Sequence, residues 1–416
     1  MKESINIYNF ACIDQAKVDF NKFTILIGPQ ATGKSIIAKL FYFFKKFPHY
    51  LIADEGETIT KRKTDKNIID LFEKYFPTKY LKDNDFSIEY KSGENFIKIY
   101  GKSPNHGERR IKIEYSDIYN NIRNDYKLFL RKINTKVEKS GEPEDIFRME
   151  SPEDRARQKI INKYRDFYDF SIFIPAGRSF FSNIENIIFS LLSKNQGIDP
   201  FLQEFGAFYE TIKKRVTMAT RRVRLKEIEV LQELILRGEF FQEKGRDFIR
   251  SKDGRIIGME NASSGQQEAL PLYLMLNHLS RIMTRNPRTI FIEEPEAHLF
   301  PDAQNSLVET IVSIFNRRPN QYNFVITTHS PYILSTFNNL AFAGSVSSSE
   351  NIQEIEKILG SRIVLKPSFL SAYSTQGKNV EKIICAETNL INAESIDSVS
   401  NKISKQFDSL MEFVER

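Results

Sequence analysis

The segment that most constrains this 416-residue chain is GPQATGKS, at residues 28–35. It follows the apolar run FTILI at 23–27 and precedes the helical pattern IIAKLF at 36–41. A strand, a glycine-bounded loop, a Lys-Ser pair and a helix together form the full context of a phosphate-binding P-loop. Backbone N–H groups at the start of the following helix point toward an anion, and the helix dipole favours negative charge there. The sequence therefore predicts that this segment binds a nucleoside triphosphate.

Individual residues of the loop are expected to have distinct roles in binding the nucleotide. Gly28 and Gly33 permit backbone conformations and close approaches that a side chain would block. Lys34 is expected to reach the β- and γ-phosphates, and Ser35 to place its hydroxyl on Mg²⁺. The predicted nucleotide-binding residues of the loop are Gly28, Pro29, Gln30, Ala31, Thr32, Gly33, Lys34 and Ser35.

Two later apolar strands also end in polar residues. TIFIEEPEAHLFP, at 289–301, ends its strand in Glu293 and Glu294, and NFVITTHSPYIL, at 323–334, leads to His329. Glu293 is suited to hold the Mg²⁺ shell through water, and Glu294 to polarise the attacking water in a phosphoryl transfer. His329 is suited to donate a hydrogen bond to the γ-phosphate. Taken singly, paired glutamates also begin helices and Thr-His-Ser is a common turn, so the order after a P-loop carries the prediction.

Composition and charge restrict the function classes only mildly. The chain has 60 basic and 54 acidic residues, and this small excess permits nucleic-acid binding without requiring it. Cys12 and Cys385 have no zinc-site spacing and are expected to be incidental thiols of a cytosolic protein. No apolar run is long enough to span a membrane, and the N-terminus does not resemble a signal peptide. We therefore expect a soluble cytoplasmic protein with no membrane partner.

The hydrophobic pattern predicts an α/β chain with a predominantly helical middle. Strands alternate with helices around the P-loop, an antiparallel meander follows, and the highly charged middle part is mostly helical. The main predicted elements are strands at 4–10 and 16–20 joining the P-loop strand, a helix at 35–46, a meander within 86–115, a buried strand at 171–178, helices at 179–195 and 199–237, and a hairpin at 246–260 turning at Asp253-Gly254.

These elements suggest four parts of the chain. The predicted parts are an N-terminal part with P-loop and meander at 1–114, a helical insertion or short coiled-coil-like subdomain at 115–245 that includes the 171–178 strand, a part with the later motifs at 246–340, and a C-terminal extension at 341–416. The resemblance described next makes the first and third of these the two parts of an ATPase head.

The order of the motifs resembles that of the ABC-class ATPases, in the branch that contains SMC, Rad50, RecF and OLD-type proteins. Residues 262–266, ASSGQ, match the position of the family's LSGGQ signature. The resemblance implies an ABC-type P-loop ATPase head, a mixed sheet with flanking helices and a helical insertion. It makes Glu293-Glu294 the Walker B pair, His329 the switch histidine and 295–302 the D-loop region.

In that family the signature of one subunit touches the γ-phosphate bound by the P-loop of the other. The resemblance therefore implies a homodimer or higher homo-oligomer around ATP. By this carry-over the second set of nucleotide-binding residues is Ser263, Ser264, Gly265 and Gln266. It also implies ATP and Mg²⁺ as cofactors, Ser35 and Glu293 as metal-binding residues, and Lys34, Glu294 and His329 as catalytic residues.

Within the branch, the spellings IPAGRS at 174–179 and EEPEAHLFP at 293–301 look like those of ATPases from bacterial anti-phage systems such as PARIS and Septu. This resemblance implies a sensor or regulatory subunit that controls a separately encoded effector, such as a nuclease toxin. The sequence departs from the family in having Glu293 where the Walker B metal residue is usually Asp, and Ser-Ser-Gly where the signature is usually Ser-Gly-Gly. Because of the longer Glu293 side chain, hydrolysis is expected to be slow.

Other functions stay open on the sequence alone. A Rad50- or RecF-like ATPase for DNA maintenance, with DNA as partner, is the main alternative, and a scaffold that binds ATP without hydrolysing it is another. The basic run within 213–226 is either a solvated helix face or a DNA groove. Arg178 is suited either to phosphate or nucleic acid or to an ordinary ion pair. His278 and His298 are expected to be structural or exposed.

Overall fold

The computed structural model describes the chain in segments. The residues described are 2–53, 60–77, 81, 84–102, 110–140, 151–181, 198–218, 226–282, 286–359, 363–376, 379–392 and 398–411. The predicted 179–195 helix and residues 219–225 of the basic run lie mostly or wholly outside them.

The described strands form three sheets. In chain order they are β1 (Glu3–Phe10), β2 (Ile13–Phe20), β3 (Phe23–Ile27), β4 (Phe86–Ser92), β5 (Asn95–Lys102), β6 (Arg110–Tyr115), β7 (Ile172–Ile174), β8 (Gly238–Glu243), β9 (Arg246–Ser251), β10 (Ile256–Gly258), β11 (Arg288–Glu293), β12 (Tyr322–Thr328), β13 (Leu370–Ser374) and β14 (Glu381–Lys382).

The central sheet has six strands in the order β14-β13-β3-β12-β11-β7. Strands β13, β3, β12, β11 and β7 are mutually parallel, and β14 is an antiparallel edge strand. Helices cover the sheet, so the prediction of an α/β fold with a mixed sheet and flanking helices is confirmed. In chain order the helices are α1 (Lys34–Lys45), α2 (Phe47–Tyr50), α3 (Lys61–Tyr75), α4 (Asp117–Ser140), α5 (Pro152–Lys163), α6 (Pro200–Met218), α7 (Lys226–Leu236), α8 (Ser264–Arg281), α9 (Pro301–Arg317), α10 (Pro331–Val346), α11 (Ile352–Leu359) and α12 (Ser398–Met411).

A second, antiparallel sheet holds the predicted meander. Its order is β2-β1-β4-β5-β6. The meander prediction is confirmed, but the expectation that the first two strands join the P-loop strand is wrong. Strand β1 pairs with β4, about 80 residues further along the chain, rather than with β3. An alternating pattern identifies a strand and its buried face, but it does not identify which strand lies beside it.

The third sheet is small, with the order β10-β9-β8. Strands β9 and β10 form the predicted hairpin, and the turn between them contains Gly254 with a φ of +87°. The N–H of Gly254 donates to the Ser251 carbonyl at 3.0 Å. This sheet lies next to the start of α8, because a short 3-10 turn at Met259–Asn261 joins β10 to that helix.

Two hydrophobic cores lie on opposite faces of the central sheet. Along β11, Ile290 and Ile292 pack into one core and Phe291 into the other. Both faces of a parallel sheet are buried in this way, and its strands are therefore apolar throughout. Helix α8 contributes to the first core and is buried around most of its circumference from Glu268 to Ser280. Helix α1 packs in the second core with an aromatic cluster that includes Phe41, Phe43 and Phe44.

Two segments outside the predicted head contribute strands to the central sheet. Strand β7, in the 115–245 part, pairs in parallel with β11. Strand β13, in the 341–416 part, pairs in parallel with β3 directly beside the P-loop strand. All four predicted parts of the chain therefore contribute strands to the central sheet. The meander of the first part lies in the second sheet, and the C-terminal part is integral to the central one.

Candidate functional site

The carboxyl ends of the parallel strands meet at one edge of the central sheet. Ile27 at the end of β3 lies opposite Thr328 of β12, and Glu293 at the end of β11 lies opposite Thr327. Ser374 of β13 also pairs with Ile27, and Ile174 of β7 with Ile292. Ligands of open α/β sheets bind at this edge, so the loops that follow these strands form the candidate site.

The P-loop leads into α1 in the geometry that anion binding requires. Gly33 caps the helix with a φ of +98°, and the Ile37 N–H donates to its carbonyl at 3.0 Å. A Cβ at residue 33 would lie 2.6 Å from Cγ1 of Ile13 in β2, so only glycine fits both the conformation and the space. The first N–H groups of a helix have no partner within the helix, and here they follow directly on the loop.

Lys34 lies against the loop itself. Its Nζ donates to the carbonyls of Gly28 at 2.8 Å and Pro29 at 2.6 Å, and the residue is 4% exposed. Burial lowers the pKa of Lys34, while the charges of Glu294 and Glu296 act in the opposite direction. The ammonium group is therefore inside the mouth of the site, where it can reach the phosphates of a nucleotide.

Glu293 and Ser35 fit a magnesium ion. The Ser35 hydroxyl lies near enough to the Glu293 carboxylate to favour its charged form, and the Ala176 N–H approaches Oε2 at 3.4 Å. Burial raises the pKa of Glu293, an effect opposed by Lys39, Ser35 and the Ala176 N–H. Oε1 of Glu293 is buried without a hydrogen-bond partner among the described residues. A buried carboxylate oxygen with no donor beside a serine hydroxyl is a suitable ligand set for Mg²⁺, which takes one or two protein oxygens and keeps several waters.

Three predicted catalytic side chains form a chain of contacts. His329 Nε2 lies 3.2 Å from Glu294 Oε1, and His329 Nδ1 lies 3.5 Å from Lys34 Nζ. An ammonium group can only donate, so Nδ1 accepts and the ring proton is on Nε2, which donates to the Glu294 carboxylate. The structure thus brings Lys34, His329 and Glu294, the three residues predicted to be catalytic, into contact in one chain of side chains.

The backbone of Glu294 is held in an uncommon conformation. Its φ is +44°, in the left-handed region that non-glycine residues seldom adopt. The Glu294 N–H donates to the Thr327 carbonyl at 2.9 Å, and its own carbonyl accepts from Arg178 Nη2 at 3.1 Å. Such conformations persist only where the surroundings fix them and are common at functional sites. The orientation of the Glu294 side chain therefore depends on β12 and on Arg178.

Sequence reasoning missed Glu296 as a functional residue. Its Oε1 accepts from Thr328 Oγ1 at 2.7 Å and from the His329 N–H at 2.6 Å. Its Oε2 is buried without a hydrogen-bond partner within the described part of the chain. Its signal in the sequence is the last glutamate of the EEPE spelling, which lies within the predicted D-loop region 295–302. Glu296 fixes the loop that carries His329.

Thr375 is a second residue that sequence reasoning missed. It follows β13, and its Oγ1 lies 2.6 Å from Thr32 Oγ1 and 3.3 Å from the Ile27 carbonyl. A Cβ added to Gly28 would overlap Thr375 Oγ1, so the close approach of β13 explains the glycine at that position. No local motif around Thr375 could have indicated this contact, because it depends on β13 pairing with β3.

The signature segment begins α8. Ser263 caps the helix: its Oγ accepts from the Gln266 N–H at 3.3 Å, while Gln266 Oε1 accepts from the Ser263 N–H at 3.1 Å. Gln266 Nε2 donates to the Leu236 carbonyl at 2.7 Å. Ser263 and Ser264 are exposed, and a Cβ at Gly265 would lie 3.1 Å from the His298 carbonyl in the D-loop region. None of the hydrogen bonds described for residues 263–266 reaches the P-loop of the same chain.

Several secondary expectations can be resolved. The ion-pair interpretation of Arg178 is confirmed, since its side chain is 1% exposed and paired with Glu268. Lys213, at the start of the basic run, is buried and paired with Asp247 at 2.8 Å, so the solvated-face interpretation is wrong for this residue. His278 is buried and His298 is exposed. In the described part of the chain, no helix combines the length and apolarity that crossing a membrane would need.

The chain is similar to several solved structures and matches a sequence-family model. Similar solved structures include the SMC head domain from Thermotoga maritima (12% identity, 92% of this chain and 98% of that chain covered, TM-score 0.36). Others are the SmcHead bound to the C-winged helix domain of ScpA (13%, 92% and 96%, TM-score 0.40) and the Smc head domain with an extended coiled coil bound to the C-terminal domain of ScpA from Pyrococcus furiosus (12%, 92% and 95%, TM-score 0.37). A family model described as AAA ATPase domain matches residues 1–334. The chain therefore belongs to the AAA_15 family of AAA ATPase domains.

Proposed function

We propose that this chain binds Mg²⁺-ATP at the edge of the central sheet and hydrolyses it. The observation that carries the proposal is the convergence of Lys34, the Ser35–Glu293 pair and the Glu294–His329 pair on that edge. Phosphoryl transfer needs positioning and charge stabilisation more than covalent chemistry from the protein. These residues offer a cation, an oxygen pair suited to a metal ion and a carboxylate at one edge of the sheet.

In this mechanism each residue has one task. Lys34 and the N–H groups of the P-loop bind the phosphates. Ser35 with Glu293 would hold Mg²⁺, which would supply charge neutralisation at the phosphate oxygens. Glu294 orients the attacking water and accepts its proton. His329, whose Nε2 proton is directed at Glu294 Oε1, keeps that carboxylate in place and is close enough to Lys34 to contact the γ-phosphate.

We propose that a second copy of the chain completes the site. Ser263, Ser264 and Gly265 are at the N-terminus of the 18-residue helix α8, where N–H groups favour an anion. The hydrogen bonds of this turn run within its own helix and to Leu236, and its two serines are exposed. In the proposed dimer, the signature turn of each copy, together with Gln266, faces the nucleotide on the P-loop of the other.

The Glu294→Gln variant tests the assigned proton acceptor. Gln keeps the size and one acceptor of Glu but cannot take a proton, so we expect ATP turnover to fall by roughly 100-fold or more, as general-base loss typically does. The ATP-bound dimer should then persist in size-exclusion chromatography with light scattering. Lys34→Ala, which removes the phosphate contact, should form no ATP-dependent dimer and is the matched control. A Glu294→Gln variant that turns over ATP at the wild-type rate would remove Glu294 from the mechanism.

We further propose that the ATP switch controls a separately encoded effector in anti-phage defence. The support is the spelling of 174–179 and 293–301, two segments that meet at the site through the Arg178 contacts to the carbonyls of Glu293 and Glu294. Cells expressing the chain with its neighbouring genes should reduce phage plating, and Lys34→Ala should abolish that protection. Absence of protection, combined with ATPase stimulation by DNA that falls steeply with salt, would favour the DNA-maintenance alternative.

A further inference from the structure

Arg178 joins three segments beneath the candidate site. Its Nη1 donates to the carbonyls of Pro175 at 3.1 Å and Glu293 at 2.8 Å, and its Nη2 donates to the Glu294 carbonyl at 3.1 Å. Its Nε donates to the backbone carbonyl of Glu268 at 3.1 Å. The guanidinium group therefore contacts the turn after β7, the end of β11 and helix α8 at once.

Glu268 is the partner that fixes this arginine. Its Oε1 lies 3.2 Å from Arg178 Nη2 and accepts from the Arg178 N–H at 2.9 Å, while its Oε2 accepts from the Ser179 N–H at 2.9 Å. Both side chains are almost completely buried, with relative exposures of 1% and 3%. Both oxygens of the Glu268 carboxylate and all three guanidinium nitrogens of Arg178 thus have hydrogen-bond partners.

A buried ion pair is weak as a source of stability. The cost of removing two charges from water offsets much of their attraction, and well-packed apolar replacements are often neutral or stabilising. Burial lowers the pKa of Arg178, and four surrounding glutamates, Glu268, Glu296, Glu293 and Glu294, act in the opposite direction. What the pair does supply is a fixed geometry, since the planar fork of arginine holds two neighbouring carbonyls at once.

We propose that Arg178 and Glu268 are positioning residues that connect the signature helix to Glu294. Glu268 is four residues after Ser264, the first residue of α8, so a movement of the helix N-terminus moves Glu268 as part of the same rigid helix. A movement of Glu268 moves Arg178. Arg178 in turn bonds the Glu294 carbonyl, and this bond helps to hold the Glu294 backbone in its left-handed conformation. The inference rests on the proposed function, in which Glu294 is the carboxylate that accepts the proton of the attacking water.

The consequence is communication between the two ATP sites of the proposed dimer. In each copy the signature turn faces the nucleotide of the partner, whereas Glu294 acts on the nucleotide of its own P-loop. The Arg178–Glu268 pair is a direct physical connection between these two functions within one chain. Engagement of the signature by the partner's ATP would thus set the orientation of Glu294 in the other site.

The double variant Arg178→Met/Glu268→Met tests this role. Because both charges are removed together, no unpaired charge stays buried, so we expect a folded protein. The backbone groups that the pair bonded lose their partners, so its thermal midpoint should be lower than that of wild type. We expect kcat to fall at least tenfold, KM to stay within threefold, and the cooperativity of the rate in ATP concentration to be lost. The matched control is Lys213→Met/Asp247→Met, which replaces another ion pair with a buried lysine, between α6 and β9, and should keep kcat and cooperativity.

Arg178→Lys provides the second measurement if the double variant does not fold. Lys keeps the charge opposite Glu268 but lacks the planar fork that reaches both the Glu293 and Glu294 carbonyls, so kcat should fall while ATP affinity is kept. Wild-type kcat and cooperativity in either variant would overturn the inference. So would a parallel loss of kcat, ATP affinity and thermal stability, which indicates a purely structural pair. Failure of the proposed function itself is distinguishable, because then Glu294→Gln would hydrolyse ATP as fast as wild type.

Discussion

At the scale of single residues, Glu296 holds the loop after β12. It accepts from Thr328 Oγ1 and from the His329 N–H, and so determines where His329 lies. His329 in turn contacts both Glu294 and Lys34. The positions of these side chains are therefore set by the segment immediately after Glu294 as much as by the strands.

Replacing Glu296 with Ala should impair turnover more than binding. Loss of a charge-assisted hydrogen bond to the His329 N–H costs about 1.5–3 kcal/mol, so we expect kcat to fall by roughly tenfold or more. The affinity for ATP, measured by fluorescent-analogue titration, should stay within about threefold because the P-loop is unchanged. Glu309→Ala, on the outer part of α9, is the control. A kcat equal to wild type would show that Glu296 does not position His329.

The sequence predicted the residues of the site that follow strands in recognisable local patterns. Lys34, Glu293, Glu294 and His329 belong to this group, because each comes directly after an apolar run or within a spaced motif. The distant partners of other residues left no such signal, even where the residue itself, such as Arg178, was singled out. Thr375 contacts a residue 343 positions away, and Arg178 binds a carboxylate 90 positions away. Only the folded sheet brings these pairs together.

At the scale of elements, strand β13 supports the P-loop from the side. It pairs in parallel with β3, and the following residue, Thr375, bonds to Thr32 and to the Ile27 carbonyl. The sequence predicts only an extension for the C-terminal part, in which short apolar runs are separated by polar residues. A five-residue strand buried by its neighbours carries little periodic signal of its own.

The Thr375→Val variant tests this support. Valine keeps the shape of threonine but removes the hydroxyl that bonds to Thr32 Oγ1. Thr32 keeps its bond to the Pro29 carbonyl at 2.8 Å, so the loss is that of one hydrogen bond, about 0.5–1.5 kcal/mol. We expect ATP affinity by isothermal titration calorimetry to weaken by roughly fivefold or more. Thr375→Ser, which keeps the hydroxyl, should bind as wild type does. Equal affinities for valine and threonine would mean that β13 contributes only to folding.

His278, in helix α8, should make the folded state less stable in acid. Burial, aided by the charges of Arg215, Arg288 and Arg281, lowers the pKa of His278 to about 4 from its ordinary 6.5. As the pH falls, the unfolded chain therefore takes up a proton that the folded chain does not, and stability is lost between about pH 6.5 and pH 4. At about 1.4 kcal/mol per pH unit, the loss approaches roughly 3 kcal/mol by pH 4.

Urea unfolding at pH 7.5 and pH 5 measures this effect. His278→Gln should lose less free energy of unfolding between the two pH values than wild type, by roughly 1–2 kcal/mol. His298→Gln changes the same residue type at an exposed position and is the control. An identical pH dependence in His278→Gln and wild type would show that this histidine is not the source of the acid sensitivity.

At the scale of the whole molecule, the central sheet with a core on each face accounts for the arrangement of the site. The sequence predicted the α/β class because apolar strands alternate with helical patterns around the P-loop. It did not predict that β1 and β2 leave the central sheet or that β7 and β13 enter it, because strand neighbours are decided by packing over long chain separations. The signature turn and the P-loop both belong to this one chain, yet their hydrogen bonds do not connect them directly.

The measurement that tests the two-copy site most directly is the rate of ATP hydrolysis per subunit as a function of protein concentration, for wild type and Ser263→Arg. The account predicts a wild-type rate that rises with concentration to a plateau. It also predicts a Ser263→Arg variant that binds an ATP analogue with wild-type affinity but does not hydrolyse ATP at any concentration. A wild-type rate independent of concentration, with Ser263→Arg equally active, would contradict the account and indicate a site complete within one chain.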